Sequence, residues 1–334
     1  MSGHNVPYQL RTNKFVERQL FLDLLDFVRV WNGPARYLYA SMGGRFLEDF
    51  KLVNDRFAIE HMISIESDEV TWNRHISNRP VGFIECKNQK SGEFIVEFDR
   101  MVAVHPAKRF IIWLDYAAAN ERGNQLQEYQ ELLAKLAVGD VIKITLNANP
   151  QSYRRRHDFS IERDFQDIVI KNVTEQLGDY MPSGGMSKDH MKPDEFSRLL
   201  ARAVKVAALK GNEGSQLRVI PLAAYRYSDG EHAMLTVTTL LADDALASKI
   251  ERDDVHQEWP FRSKEWDDVH HINVPDLSPK ERLTINQLIA LKTDERVIHE
   301  QLPFRLDSEE ADSLSLLASY LHHYRRFPAF GRVQ

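Results

Sequence analysis

The chain has 334 residues, 43% hydrophobic and 28% charged, with a net charge of -6; that suffices for a full core in one large or two ordinary domains. The charge gives no overall attraction to nucleic acid or an acidic membrane, so any such contact must come from a local patch. The single cysteine, Cys86, excludes an intrachain disulfide and a cysteine-rich zinc site, and with no membrane-length apolar run and no signal-like N-terminus the expected location is cytoplasmic.

Residues 1–12 carry no clear pattern. From Asn13 to Val30 apolar residues recur with helical spacing, with Thr12 or Asn13 as the expected cap and Asn32-Gly33-Pro34 as the stop. Lys14, Glu17 and Arg18 lie on this helix, either as a solvated face or within reach of a ligand near the first strand. Arg36–Ala40 is a predicted strand, followed by the turn Ser41-Met42-Gly43-Gly44. A helix is expected from about Phe46, with Glu48 and Asp49 complementing its dipole. Met62–Glu66 is the second strand, and Ser67 or Asp68 caps a helix from Glu69 to about Asn78. Val81–Glu85 is the third. Glu93–Val104 fits a β-stretch through Phe94, Val96 and Phe98, with a helix near Arg100 as the alternative. Arg109–Tyr116 is a continuous apolar run ending in an acid, the pattern of a central parallel strand. A helix over about Asn124–Leu136 and a fifth strand, Val141–Leu146, follow.

Five strands alternating with helices predict a doubly wound, mostly parallel α/β sheet, with ligands beyond the carboxyl ends of its strands. Residues 150–193 form an irregular insertion, and a helix follows over about Asp194–Leu209. Leu217–Tyr227 and His232–Leu241 then flank Ser228-Asp229-Gly230, a hairpin signal. Past about residue 245 the chain is expected to be a helical extension. Ser278-Pro279 with Glu281 marks one helix start, and Asp307-Ser308-Glu309-Glu310 marks another that runs to about Arg326. The expected division is an N-terminal helix over 1–33, a sheet domain over 34–245 and the extension over 246–334.

Four features together resemble the class I S-adenosylmethionine-dependent methyltransferases over about residues 34–242. They are Ser41-Met42-Gly43-Gly44 after strand one, Glu66 after strand two, Leu114-Asp115-Tyr116 after strand four, and the terminal antiparallel hairpin. The chain departs from that family in one place. Tyr39-Ala40-Ser41 stands where an acid usually ends strand one, and a third glycine is absent.

The resemblance implies roles. Ser41, Met42, Gly43 and Gly44 would admit the methionine part of S-adenosylmethionine, Glu66 would take the ribose hydroxyls, and Glu85 or Cys86 would lie near the adenine. Either glycine could equally serve a tight turn that needs positive φ. Asp115 would act as base or orienter and Tyr116 would stack on a planar substrate. Asn147, Asn149, Arg154 and Arg155 are the substrate-side candidates. Asn147-Ala148-Asn149 offers neutral amides where a hard cation wants carboxylates, so no metal is expected. His270-His271 and His322-His323 are adjacent pairs whose side chains point apart.

The expected activity is methyl transfer to oxygen or nitrogen of an unidentified acceptor. The alternative is a non-catalytic scaffold of the same fold. It would bind a protein or nucleic-acid partner, or form a homodimer, through the extension.

Overall fold

In a computed structural model, residues 11–154, 165–229, 232–289 and 294–328 are described. The elements in chain order are α1 (Thr12–Asn32), β1 (Tyr37–Ser41), α2 (Glu48–Phe57), β2 (His61–Glu66), α3 (Glu69–Asn78), β3 (Ile84–Asn88), α4 (Ser91–Val104), β4 (Arg109–Asp115), α5 (Arg122–Leu133) and β5 (Val141–Asn147). Then come α6 (Phe165–Leu177), α7 (Pro193–Gly211), β6 (Arg218–Asp229), β7 (His232–Ala242), α8 (Asp244–Glu251), α9 (Asp254–Gln257), β8 (Val269–Ile272), α10 (Pro279–Ile289), α11 (Glu295–Gln301) and α12 (Glu310–His323).

All eight strands form one sheet in the order β3-β2-β1-β4-β5-β7-β6-β8. β3, β2, β1, β4 and β5 are mutually parallel. β7 runs antiparallel to both β5 and β6. This is the class I methyltransferase arrangement, a parallel sheet closed by one antiparallel hairpin. The tip of that hairpin, Gly230 included, lies outside the described residues.

Each face of the sheet is covered. Ile112, Leu114, Ile142 and Ile144 pack toward α5 and α7, while Ile111, Trp113 and Val141 alternate onto the face that carries α1 and α2. α1 docks there because Val16, Leu20, Leu24 and Val28, four residues apart, form one fully buried stripe. Each such side chain contributes roughly 1.5–3 kcal/mol relative to exposure.

Several expectations are corrected. α1 has no side-chain cap. Asn13 Oδ1 instead accepts Val274 N–H at 2.8 Å, and Thr12 donates to Asp276 at 3.3 Å, so both tie α1 to the C-terminal stretch. Residues 91–104 are helical, because Phe94, Ile95 and Phe98 share a buried face while Val96 is 74% exposed. β3 starts three residues later than predicted, as a polar edge strand. The stretch after residue 245 also contributes a strand, β8, parallel to β6. Pro221 is tolerated in β6 because it precedes the β8 pairing and adjoins a register shift before Ala223. No helix among the described residues is long and apolar enough to cross a membrane.

Candidate active site

β2 and β3 lie on one side of β1, and β4 and β5 lie on the other. The chain reverses its winding between β1 and β4, and a doubly wound sheet opens a crevice beyond the strand ends at such a point. Ser41 ends β1 and Asp115 ends β4, so both sit at its mouth.

The loop from Met42 to Leu47 connects β1 to α2. Neither Gly43 nor Gly44 has positive φ; in this loop Leu47 does, at 51°. Gly43 is needed for space. A Cβ there would lie 2.3 Å from Leu47 Cδ2, 2.7 Å from Ser64 Oγ and 2.9 Å from Phe50 Cε2. Beneath it, Ser64 Oγ meets His75 Nδ1 at 3.0 Å, and burial pulls the imidazole pKa down to about 4. Gly44 is exposed and Met42 half-buried.

At the tip of β2, Glu66 is half-buried and accepts Asp68 N–H at 2.8 Å. Asp68 caps α3 by accepting Thr71 N–H at 2.8 Å. Glu85 and Cys86 are placed differently from expectation. Both lie inside β3, paired with Ile63 and Ser64, and the tip of the strand is Asn88. Asn88 Nδ2 donates to the Glu66 carbonyl at 3.1 Å.

Asp115 and Tyr116 point to opposite faces. The Asp115 side chain is 20% exposed and lies 3.7 Å from Arg18 Nη2. Tyr116 is buried on the α5 side, where its hydroxyl donates to Glu128. Burial, then the Glu128 charge, pushes that phenol well up. Beyond β5, Asn147 Oδ1 accepts Asn149 N–H at 3.0 Å, and Asn149 Oδ1 accepts Gln151 N–H at 3.0 Å. Both amides therefore shape the turn. Arg154 lies over the Phe165 ring at 5.1 Å, and Arg155 falls outside the described residues.

A family model described as "Putative O-methyltransferase" matches residues 6–334. The chain belongs to that O-methyltransferase family. No curated protein matches it. Among solved structures it is similar to the N-methyltransferase NodS from Bradyrhizobium japonicum WM9, at 9% identity and TM-score 0.39 over 68% of this chain and 97% of that one. It is also similar to a SAM-dependent methyltransferase from Anabaena variabilis, at 10% identity and TM-score 0.35 over 68% and 85%. At such scores the fold rests on the strand order of the chain itself.

For this O-methyltransferase family member, the feature that sequence reading largely missed is a buried charged layer between α1 and the sheet. Arg18, 1% exposed, donates through Nη1 to Glu17 and to Tyr227 Oη, both at 2.9 Å. Its Nε reaches Asp49 Oδ1 at 3.3 Å, and its guanidinium lies 4.6 Å from the Trp113 ring centroid. Glu17 also pairs with Lys143 Nζ at 2.7 Å and accepts from Thr236 Oγ1 at 2.9 Å. Lys143 packs 3.5 Å from the Trp113 ring centroid. Burial lowers its pKa to about 8, with Glu17 opposing. Glu17 behaves differently. Burial alone would raise its pKa, but Lys143 and Arg18 bring it below the ordinary carboxylate value. Lys143 had one sequence signal, a lone cation inside the apolar run Val141-Ile-Lys-Ile-Thr-Leu146. Among the described residues no three His, Cys, Asp or Glu side chains are grouped to hold a metal ion.

Proposed function

We propose that this protein binds S-adenosylmethionine across the ends of β1, β2 and β4 and transfers its methyl group to a hydroxyl oxygen of an acceptor. The observation that carries the reading is Asp115. It ends the central strand at the crevice, keeps part of its carboxylate accessible and is tethered on one side by Arg18.

The chemistry of the residues present fits the cofactor. Glu66, half-buried at the tip of β2, stands where two carboxylate oxygens would receive the ribose hydroxyls. The β1 loop, packed at Gly43 against Leu47, Ser64 and Phe50, would hold the methionine part of the cofactor beside the end of β1. The adenine would lie beyond the β3 tip near Asn88. Bound S-adenosylmethionine would supply an electrophilic methyl group on a sulfonium. Asp115 then has two tasks: to hold the acceptor hydroxyl in line, and to take its proton as the new C–O bond forms. Arg18 limits where that carboxylate can turn. The family description supports oxygen as the acceptor atom. No observation favours the scaffold alternative.

Titration calorimetry with S-adenosylhomocysteine tests the first half: saturable binding is expected, and no heat with no thermal shift at millimolar ligand would refute the cofactor reading. For the second half, Asp115→Asn should leave that affinity within about threefold. It should slow methyl transfer from labelled S-adenosylmethionine to a panel of hydroxyl acceptors by about 100-fold.

A further inference from the structure

α1 is held from two sides. On its inner face the Arg18 guanidinium is pinned by Glu17, by Tyr227 of β6, by Asp49 of α2 and by the Trp113 ring of β4, and its Nη2 faces Asp115 at 3.7 Å. Where that guanidinium stands beside Asp115 therefore follows where α1 lies. The stripe of Val16, Leu20, Leu24 and Val28 keeps α1 on the sheet, but burial of aliphatic groups is non-directional and constrains rotation of the helix about its axis only weakly. A rotation of about 10° moves a group on the helix surface by about 1 Å. A misplacement of about 1 Å in a reacting geometry can cost on the order of 100-fold in rate.

Directional bonds supply the missing constraint, and the chain from α8 onward provides them along the whole helix. At the first turn Asn13 Oδ1 accepts Val274 N–H at 2.8 Å. In the middle Arg326 Nε donates to Asp23 Oδ2 at 2.6 Å. At the last turn Trp31 Nε1 donates to Asp253 Oδ2 at 2.7 Å. There Lys249 Nζ also donates to the carbonyls of Val30 and Trp31, at 3.0 and 2.8 Å, where a helix has no further N–H of its own to offer them.

We propose that the chain from α8 onward is a working part of the active site: it clamps α1 at a fixed rotation and so makes Arg18 the positioning residue that aims Asp115 at the acceptor. The part played by Asp115 rests on the methyl-transfer reading above; the clamp on α1 does not.

The last turn of α1 provides the test. Trp31 lies about 20 Å along the helix from Arg18, and its neighbour Asn32 bonds the Gly139 carbonyl just before β5 begins, at the far end of the sheet from the crevice. Trp31→Phe with Lys249→Met removes the three bonds there and keeps an aromatic ring against Phe27 and His256. Fluorine NMR of protein labelled with 5-fluorotryptophan reads the effect at Trp113, whose resonance is assigned by its loss in Trp113→Phe. Because Arg18 lies over that ring, the resonance should shift or broaden in the double variant. It should stay in place in Lys249→Arg, which keeps donors for both carbonyls. Asn13→Ala loosens the first turn alone and, as a milder variant, should move the same resonance. An unmoved Trp113 resonance in the folded double variant and in Asn13→Ala overturns the clamp. Methyl transfer from labelled S-adenosylmethionine to the panel of hydroxyl acceptors reads the second half. The double variant should lose about 5- to 20-fold in kcat, with KM for S-adenosylmethionine within about twofold. On an Asp115→Asn background the same change should cost less than about twofold, because both act through one carboxylate. Equal losses on the two backgrounds would make α1 a general support and overturn the role of Arg18. If the unaltered protein neither binds S-adenosylhomocysteine nor turns over, the methyl-transfer reading fails, and the fluorine measurement still decides the clamp.

Discussion

At the scale of single residues, the charged layer under α1 sets a condition on every substitution made there. Glu17 is fully buried and survives as a carboxylate because Lys143, Arg18 and Thr236 all face it. Removing one partner of a buried pair leaves a charge without its compensation, whereas removing both can be nearly neutral. Lys143→Met should therefore destabilise the fold by about 3 kcal/mol, although methionine fills the space between Phe21 and Trp113. Adding Glu17→Gln should recover more than half of that loss, a non-additivity expected for residues in direct contact. Urea unfolding of the two single variants and the double variant measures it, and strictly additive losses would show that the pair is not coupled. Asp115 and Glu66 were visible in the sequence because each ends an apolar run, where the fold puts a ligand edge. Asp49 was visible only as a helix-dipole acid. Its burial depends on Arg18, which lies 31 residues away and pairs with it only after α1 has docked.

At the scale of elements, the β1–α2 loop is built around missing atoms. A glycine pair suggests backbone freedom, yet neither glycine uses it, and Leu47 takes the left-handed conformation instead. What Gly43 provides is room for Leu47, Ser64 and Phe50. Gly43→Ala should cost about 1–3 kcal/mol, the usual range for overpacking a filled core. The Leu47 methyl can swing away, but Ser64 is fixed by its bond to His75. The same variant with Ser64→Gly should regain part of the loss. Thermal unfolding decides this, and an unchanged midpoint for Gly43→Ala would mean the loop gives way freely. Elements were legible in the sequence in proportion to their burial. β4 and β5 are buried along almost their whole length and mostly apolar, and were predicted nearly to the residue. β3 is an edge strand with exposed Glu85, so the apolar start at Val81 drew the prediction forward. In α4, the alternation of Phe94, Val96 and Phe98 mimicked a strand, because one exposed valine falls between two buried phenylalanines.

At the scale of the whole molecule, the layer that carries the proposed site shares its stability with three neutral histidines. His75 on α3 lies under the β1 loop. His256 on α9 packs edge-on against Phe27 and Trp31 of α1, and His323 ends α12 against Phe261. Burial lowers each pKa to about 4 from the ordinary 6.5; at His256 the Arg262 charge adds to it, and at His323 the nearby His322 and Arg326 do. The native state therefore takes up these protons only near pH 4, while the unfolded chain takes them up near 6.5. Between those values the unfolded chain binds more protons, so stability rises with pH across the window and is lost on acidification through it. At pH 5 the loss relative to neutral pH is about 2 kcal/mol per histidine as an upper bound. Asp140 opposes this. Burial raises its carboxyl to about 6, so it favours the native state as pH falls through that value, by roughly 1 kcal/mol at pH 5. Asp49, whose carboxyl burial also raises, acts in the same direction as Asp140; the three histidines outweigh these two acids, and the urea midpoint should be lower at pH 5 than at pH 7. His75→Asn, whose amide can keep the bond to Ser64, should remove about a third of the histidine contribution to that difference. Equal midpoints at the two pH values in the unaltered protein would mean that these imidazoles are protonated in the fold. The packing of α3, α9 and α12 against the α1 side of the sheet would then have to be drawn differently.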